Sequence, residues 1–513
     1  MNRGLIINRA AAYYKNKTAI VDGEKRFSFS EVNERVNRLA NGLLTLGVSK
    51  KSKVATLSHN CHQHVEINFA LAKIGAAIIS INPRLTPEEV AWQLNDSTAD
   101  TFIIEGEAIN TIPPIRSQLK FIKNIICHDE VPDTISYEQL IKDSSADEVT
   151  SDVSEDDLAS IIYTSGTTGL PKGIMLSHKS QLSVTRNLLL DNVPDLNDLD
   201  VYMALQPLYT AGGVYIIPCW IRGATHIIVP NYDVELAYKI VEKEKVTVIK
   251  IVPTVLQRFV ENPERSKFDL STLRTIIYGG SPMPREKLKE ALAIFGPIFV
   301  QNYGQSEAPM TCLILNKKDH LDGKKLEAAG RPYTMVECKI VDEDNREVPT
   351  GELGELIIRA DHIMQGYWNR PPELTQETLK DGWIYTRDIA KADDEGFIYL
   401  IDRKSDMIVS GGYNVYPNEV EQVLYEHQAI HEAAVVGVPD EKWGEAVKGI
   451  VVIKEGCHAT EDELIDFCKS RLAGYKAPKS IDFKDTLPKN ETGKILRRSV
   501  KEPYWEGYEK RIH

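Results

Sequence analysis

The chain has 513 residues, 42% hydrophobic and 26% charged, the balance of a folded globular protein long enough for two or three domains. A formal net charge of −13 excludes the basic face a nucleic-acid partner selects, and no apolar stretch approaches the eighteen or so residues of a membrane helix, residues 214–221 coming nearest. The seven cysteines at 61, 127, 219, 312, 338, 457 and 468 form no close pair, so neither a zinc site nor a disulfide framework is expected. The N-terminal apolar run is too short for a signal peptide and the last residues, Arg511-Ile-His513, are not a peroxisomal address, so a cytoplasmic location is expected.

In chain order, Phe27-Ser-Phe-Ser30 reads as a short strand ending in a helix cap. Val32, Val36, Leu39 and Leu43 then share a helical face closed by Gly47. A strand at 54–57, a helix at 65–74 and an apolar strand at 76–81 follow, and Thr86-Pro-Glu-Glu starts another helix with acids in its first turn. The acidic run 144–157 reads as a solvated connection, and 158–162 as a buried strand. Ser177 is placed to cap a helix beginning near His178. Strands at 202–205, 226–229, 246–252 and 273–278 continue an alternation that predicts parallel, doubly wound sheets. From about Val336 short alternating strands with Gly and Asp turns predict a β-rich subdomain, and beyond Asp402 a compact α+β tail.

Tyr163-Thr-Ser-Gly-Thr-Thr-Gly-Leu-Pro-Lys-Gly173 combines flexible backbone, hydroxyl donors and a lysine, the chemistry a polyphosphate needs. A Walker A loop it is not, because Lys172 follows proline and precedes glycine. Gln301-Asn-Tyr-Gly-Gln-Ser-Glu307 puts an aromatic, a glycine and an acid at a strand end, where open α/β sheets bind ligands; Tyr303 suits a base to stack on and Glu307 a Mg²⁺. Four further stretches stand out: Tyr278-Gly-Gly-Ser-Pro282, Gly382-Trp-Ile-Tyr-Thr-Arg-Asp388, Asp402-Arg-Lys-Ser-Asp406 running on to Gly411-Gly-Tyr413, and Pro488-Lys-Asn-Glu-Thr-Gly-Lys494.

Together, and in this order from about residue 15 to 500, these motifs resemble those of the adenylate-forming superfamily: acyl-CoA synthetases, amino-acid adenylation domains and beetle-type luciferases. The resemblance implies a large N-terminal domain, 1–402, of doubly wound α/β sheets with the β-rich subdomain, and a small mobile α+β C-terminal domain, 403–513. It implies that Thr164, Ser165, Gly166, Thr167, Thr168, Gly169 and Lys172 hold the ATP phosphates, with Glu307 and Thr168 on Mg²⁺. Gly280, Ser281, Asn302, Tyr303, Gly304 and Ser306 are then expected around the nucleotide, Asp388 on the ribose and Arg403 on ribose and phosphate. Tyr209, Gly279 and Gly280 are expected to line the acyl group, and Lys494 to bridge carboxylate and α-phosphate as the catalytic lysine, with Lys172 as the second catalytic cation. Ser405 occupies the hinge, and Gly411, Gly412, Tyr413, Trp443 and Lys476 fall on the path of CoA.

Besides Ser306, which keeps the hydroxyl of the family's usual threonine, three positions depart from the family pattern. Thr210 replaces a customary histidine, Ser405 an aspartate or lysine, and Arg387 a glycine, which predicts a crowded ribose pocket. The implied activity is an AMP-forming ligase joining a small carboxylic acid to CoA at the expense of MgATP, with a medium- or long-chain fatty acid as the expected substrate. An aryl- or amino-acid adenylating enzyme serving a carrier protein shares the motifs, but no aspartate lies at 209–213 to hold an α-amino group. A non-catalytic nucleotide-binding scaffold has only Arg387 and Ser405 in its favour. Monomer and homodimer both stay open.

Overall fold

The computed structural model describes residues 3–164, 171–230, 233–403, 406–440, 442–489 and 493–506. Two large sheets organise the first part. In the nine-stranded sheet the strands Thr18–Asp22, Thr225–Ile228, Val201–Ala204, Val248–Ile251, Thr275–Gly279 and Phe299–Tyr303 run parallel, and the edges are antiparallel. In the eight-stranded sheet the parallel strands Leu158–Thr164, Ala77–Ile81, Lys53–Leu57, Thr101–Ile104, Asn124–Cys127 and Ile135–Ser136 are followed on one side by Lys172–Ser177 and Gly366–Trp368, both antiparallel. The central strands are buried along their whole length and mostly apolar because helices cover both faces, as parallel sheets require. A five-stranded antiparallel sheet spans Glu337–Val341 to Ile398–Arg403. A second five-stranded sheet, antiparallel except for Ser480–Phe483, which runs parallel to Gly444–Ile453, packs against the helices Pro417–Tyr425 and Glu461–Lys469. The α/β class with a large first part and a small α+β last part is as expected.

Several local readings hold in detail. Thr86 and Glu89 form a capping box at the helix Pro87–Ser97, and Ser177 caps His178–Asn187 through the amide of Ser180. One cap moves: Ser28, not Ser30, receives the Glu31 amide, and Phe29 and Ser30 already belong to the helix Phe29–Thr45. Glu31 supplies the reciprocal bond to the Ser28 amide, so the box outcompetes one more residue of strand. The phosphate-type loop joins two antiparallel strands rather than a strand and a helix, since Lys172–Ser177 pairs back onto Leu158–Thr164 before the helix begins. Among the described residues no helix is long and apolar enough to cross a membrane, and all seven cysteines are free.

Candidate active site

The motif residues meet where the strand ends of the nine-stranded sheet face the hairpin and the small sheets. Ser165, Gly166, Thr167, Thr168 and Gly169 lie outside the described residues, as does Ser405. The base of their hairpin is described: Thr164 pairs with Lys172, the Tyr163 hydroxyl donates to Asp96 at 2.7 Å, and Arg370 donates to the Pro171 carbonyl at 3.0 Å. Arg370 also pairs with Asp96 at 2.8 Å, so both sides of the loop are tied to one carboxylate.

Lys172 holds its ammonium 5.1 Å from the centre of the Tyr367 ring, and the Tyr367 hydroxyl donates to Glu307 at 2.9 Å. One aromatic therefore sets the spacing between the cation of the first motif and the acid of the second. Burial and then the Glu307 charge push the Tyr367 phenol up, so it remains a donor. Sequence reading passed over Tyr367; Gly366-Tyr-Trp368 carried no polar signal, and its role comes from pairing with the hairpin strand. Among the described residues no three His, Cys, Asp or Glu side chains converge on a metal position. A lone carboxylate fits Mg²⁺, which keeps waters and substrate phosphates as its other ligands.

Asp388 is 6% exposed. One of its oxygens accepts from the Tyr303 hydroxyl and, at 2.8 Å, from Gln305; the other faces Arg403 Nε at 3.4 Å. The acid is thus fixed by the motif it would share a nucleotide with, and Gln305, which sequence reading left unassigned, is part of that clamp. Gly304 is required by close approach, since a Cβ there would lie 2.4 Å from the Met310 amide nitrogen. Ser306 is half-buried beside Glu307 in the same turn. Asn302 is committed elsewhere: its side chain accepts from Asn192 at 2.6 Å and from Tyr333 at 2.9 Å within a buried network. Its amide donates to the Tyr215 hydroxyl at 3.4 Å.

Arg387 does not crowd the ribose acid. It occupies a bulge opposite residues 355–357, with φ +61, so Thr386 and Asp388 are buried while its own side chain reaches outward to Glu377 at 3.6 Å. The left-handed backbone explains why glycine suits the position. Left-handed geometry costs arginine about 1–2 kcal/mol. Arg387→Gly recovers this but loses roughly 0.5–1 kcal/mol to glycine's entropy, so unfolding free energy should stay within about 1 kcal/mol and the KM for ATP within about threefold. Denaturant titration and ATP kinetics would read both, and a large fall in ATP affinity would contradict the outward placement.

Gly279 and Gly280 end the strand Thr275–Gly279. A Cβ on Gly279 would lie 2.2 Å from the Asn302 carbonyl oxygen, whereas Gly280, at φ +93, faces open space with Ser281 half-buried beyond it. Gly279→Ala should therefore cost about 1–3 kcal/mol by overpacking and displace the turn. A lowered unfolding midpoint together with a raised KM for the acid is the expected result; an unchanged midpoint would show that Asn302 can give way. Tyr209, half-buried, donates to Asn82 at 3.2 Å.

The last motif is folded onto this centre. A Cβ on Gly493 would meet Thr254 Oγ1 at 2.3 Å, so the loop is seated against the helix Pro253–Glu261. Lys494 is half-buried there; burial, then the Arg403 charge, lower its ammonium to about 8, while Asp388 opposes the shift. Arg497 joins both sides of the expected hinge segment to the helix Pro417–Tyr425, with ion pairs to Asp402 at 3.1 Å, Asp406 at 3.0 Å and Glu421 at 2.8 Å. The residues expected along the CoA path gather on the last sheet. Gly411 donates its amide to the Trp443 carbonyl at 2.8 Å, Gly412 follows at φ +82, and the rings of Tyr413 and Tyr475 lie 4.8 Å apart. Lys476 beside them pairs with Glu419 at 2.6 Å. A groove of about 420 Å³ at the outer edge of the eight-stranded sheet, between Arg116 and Ile135, holds none of these residues.

A lysine, an acid and the clamp of Tyr303, Gln305 and Arg403 around Asp388, with a second lysine from the last motif beside it, suit the activation of a carboxylate with ATP. The family comparison agrees: residues 7–368 match the family model described as AMP-binding enzyme, and 419–494 its C-terminal domain. The chain belongs to the AMP-binding enzyme family. It is 36% identical to a feruloyl-CoA synthase from an Amycolatopsis species, over 96% of this chain and 97% of that one. It is 33% identical to a long-chain-fatty-acid–CoA ligase of Bacillus subtilis strain 168, over 98% and 94%. The crystal structure of the anthranilate CoA ligase AuaEII in complex with anthranoyl-AMP superposes with a TM-score of 0.91 at 27% identity, covering 98% of this chain and 97% of that one. Within the family this chain is an AMP-forming acid–CoA ligase.

Proposed function

We propose that the chain converts a hydrophobic carboxylic acid to its CoA thioester through an acyl-adenylate held at this centre. The observation that carries the reading is the seating of Lys494 beside Arg403 and Asp388, with Lys172 and Glu307 joined through Tyr367 nearby. In the first half-reaction a carboxylate oxygen attacks the α-phosphorus of ATP and the bond to pyrophosphate breaks. The hydroxyls and amides of 164–169 and Lys172 hold the departing phosphates, and Lys494 offsets charge building on the α-phosphoryl oxygens. Tyr303 supports the adenine, with Gly280 and Ser281 beside it, and Asp388 accepts from the ribose hydroxyls. Mg²⁺, held by Glu307 and Thr168, would neutralise phosphate charge when bound.

The second half-reaction follows a turn of residues 403–513 about Ser405, which withdraws Lys494 and brings Gly411, Gly412 and Tyr413 to the acyl-adenylate. The CoA thiolate then attacks the carbonyl carbon and AMP leaves, with Trp443 and Lys476 beside the entering chain. The pairing of Lys476 with Glu419 must open if it is to meet a phosphate.

For the acid, a medium- or long-chain fatty acid is one reading, in line with the Bacillus subtilis relative. An aryl-substituted acid is the second, favoured by the 36% identity to feruloyl-CoA synthase. Pyrophosphate release from MgATP across fatty, aryl and amino acids, with and without CoA, tests the proposal. CoA-dependent turnover is expected. Release that ignores CoA would point to a carrier-protein acceptor, and silence across the panel would refute the activity.

A further inference from the structure

The centre of the nine-stranded sheet contains a lysine that none of this chemistry uses. Lys250 lies in the strand Val248–Ile251, 1% exposed; its carbonyl accepts from the Leu205 amide at 2.9 Å, but among the described residues its ammonium has no hydrogen bond and no ion pair. Its strand runs between Val201–Ala204 and Thr275–Gly279, with Lys250 level with Ala204 on one side and Ile277 on the other. In parallel pairing, level residues point to the same face. That face is fixed by a cluster in which Tyr202, Ala204, Val248 and Ile277 pack with Tyr215 and Cys219, and Lys250 alternates with Val248 onto it. Gly279 is two residues beyond Ile277 on the same face, level with Asn302.

The same sheet face carries other polar groups without partners among the described residues. Tyr202, level with Val248, has no partner for its buried hydroxyl, and neither ring nitrogen of His226, packed edge-on to Tyr202 at 4.9 Å, has one among the described residues. No carboxylate among the described residues offsets the burial of Lys250, which lowers its ammonium to about 7. An uncompensated buried cation costs several kcal/mol, and an apolar residue would fill a sheet interior better. A ligand that brings an oxygen to this place removes the penalty.

Building on the acyl-CoA synthetase reading, we propose that Lys250 forms the far end of the acyl pocket and selects acids carrying an oxygen acceptor, carboxylate or phenolic, distal to the reacting carboxyl. The geometry sets the reach. Lys250 is one strand across from Gly279 and two residues deeper, a backbone separation of roughly 8 Å from the turn expected to line the acyl group. A six- to eight-carbon dicarboxylic acid, or a phenylpropenoic acid with a para oxygen, spans such a distance. A plain alkyl chain would leave the ammonium buried against methylenes.

The test compares matched acids on the full chain, with MgATP and CoA, by pyrophosphate release: octanoate against octanedioate, and cinnamate against 4-hydroxycinnamate. For the wild type, kcat/KM should favour the oxygen-bearing member of at least one pair by tenfold or more. Lys250→Met should collapse that ratio to one or below by losing the oxygen-bearing acid, while gaining thermal stability. Lys250→Gln, a neutral donor, should retain part of the preference for the phenol and none for the second carboxylate. A wild type that prefers the plain acids, or a ratio unmoved by both variants, would overturn the role of Lys250 and leave the ligase reading standing. Silence with all four acids and with the wider panel would overturn both.

Discussion

Lys494→Ala should lower acid-dependent ATP–pyrophosphate exchange by about 10²–10³-fold, the loss expected when one positioned charge is removed from a transition state. Thiolysis of supplied acyl-AMP by CoA should remain within about threefold, because the proposed second conformation carries this residue away from the reacting atoms. Equal loss in both half-reactions would refute the division of labour. The same lysine sets a pH signature. Its ammonium titrates near 8 because it is buried and faces Arg403. The required form is the cation, so kcat/KM for adenylation should fall as pH rises through about 8 in the free enzyme. Lys494→Arg, slower overall, should lose that alkaline limb, since a guanidinium stays charged. A limb that persists in the arginine variant would belong to another group.

Arg497→Met should cost about 3–5 kcal/mol, the penalty for leaving buried charges without their partner. Asp402, Asp406 and Glu421 all pair with this one guanidinium, and Asp402 and Glu421 are buried. Burial raises both of those carboxyls above their ordinary values even with Arg497 present, and its removal should raise them further. The sign follows from linkage: a raised folded-state pKa means the folded form binds more protons, so this contribution weakens as pH rises. The variant should therefore regain stability on moving from pH 7 toward 5.5. Limited proteolysis at 403–406 reports the loosening locally, where a global melt mixes two domains. Unchanged cleavage there, with an unchanged midpoint, would show that the hinge does not depend on the network.

The motifs were legible because each is a short run whose residue types have one chemical reason to be together. Lys172 beside glycines and hydroxyls, Glu307 after Tyr303-Gly304, and Lys494 on a glycine turn announce phosphate and charge chemistry without a fold. The alternation of strands with amphipathic helices gave the doubly wound sheets for the same reason, since burial on two faces writes itself into consecutive residues. Capping boxes at Thr86 and Ser28 are equally local, and only the choice between Ser28 and Ser30 needed the reciprocal Glu31 bond.

What the sequence could not carry is pairing between residues far apart in the chain. Tyr367 joins Lys172 to Glu307 only because Gly366–Trp368 pairs with the hairpin strand, and Gln305 reaches Asp388 only across two sheets. Asn302 reads as a nucleotide residue, and only the fold shows that Asn192 and Tyr333 also engage its side chain. Arg387 reads as an obstruction until a bulge turns it outward. Lys250 is the clearest case: in sequence it is one lysine inside an apolar strand, and only the register of its neighbours reveals a buried cation with no counter-charge among the described residues. The sequence by itself determined which chemical groups this protein owns and the class of reaction they serve. Tertiary structure decided which of them are paired, buried or left free, because a side chain's solvation and partners belong to the space around it and not to its place along the chain.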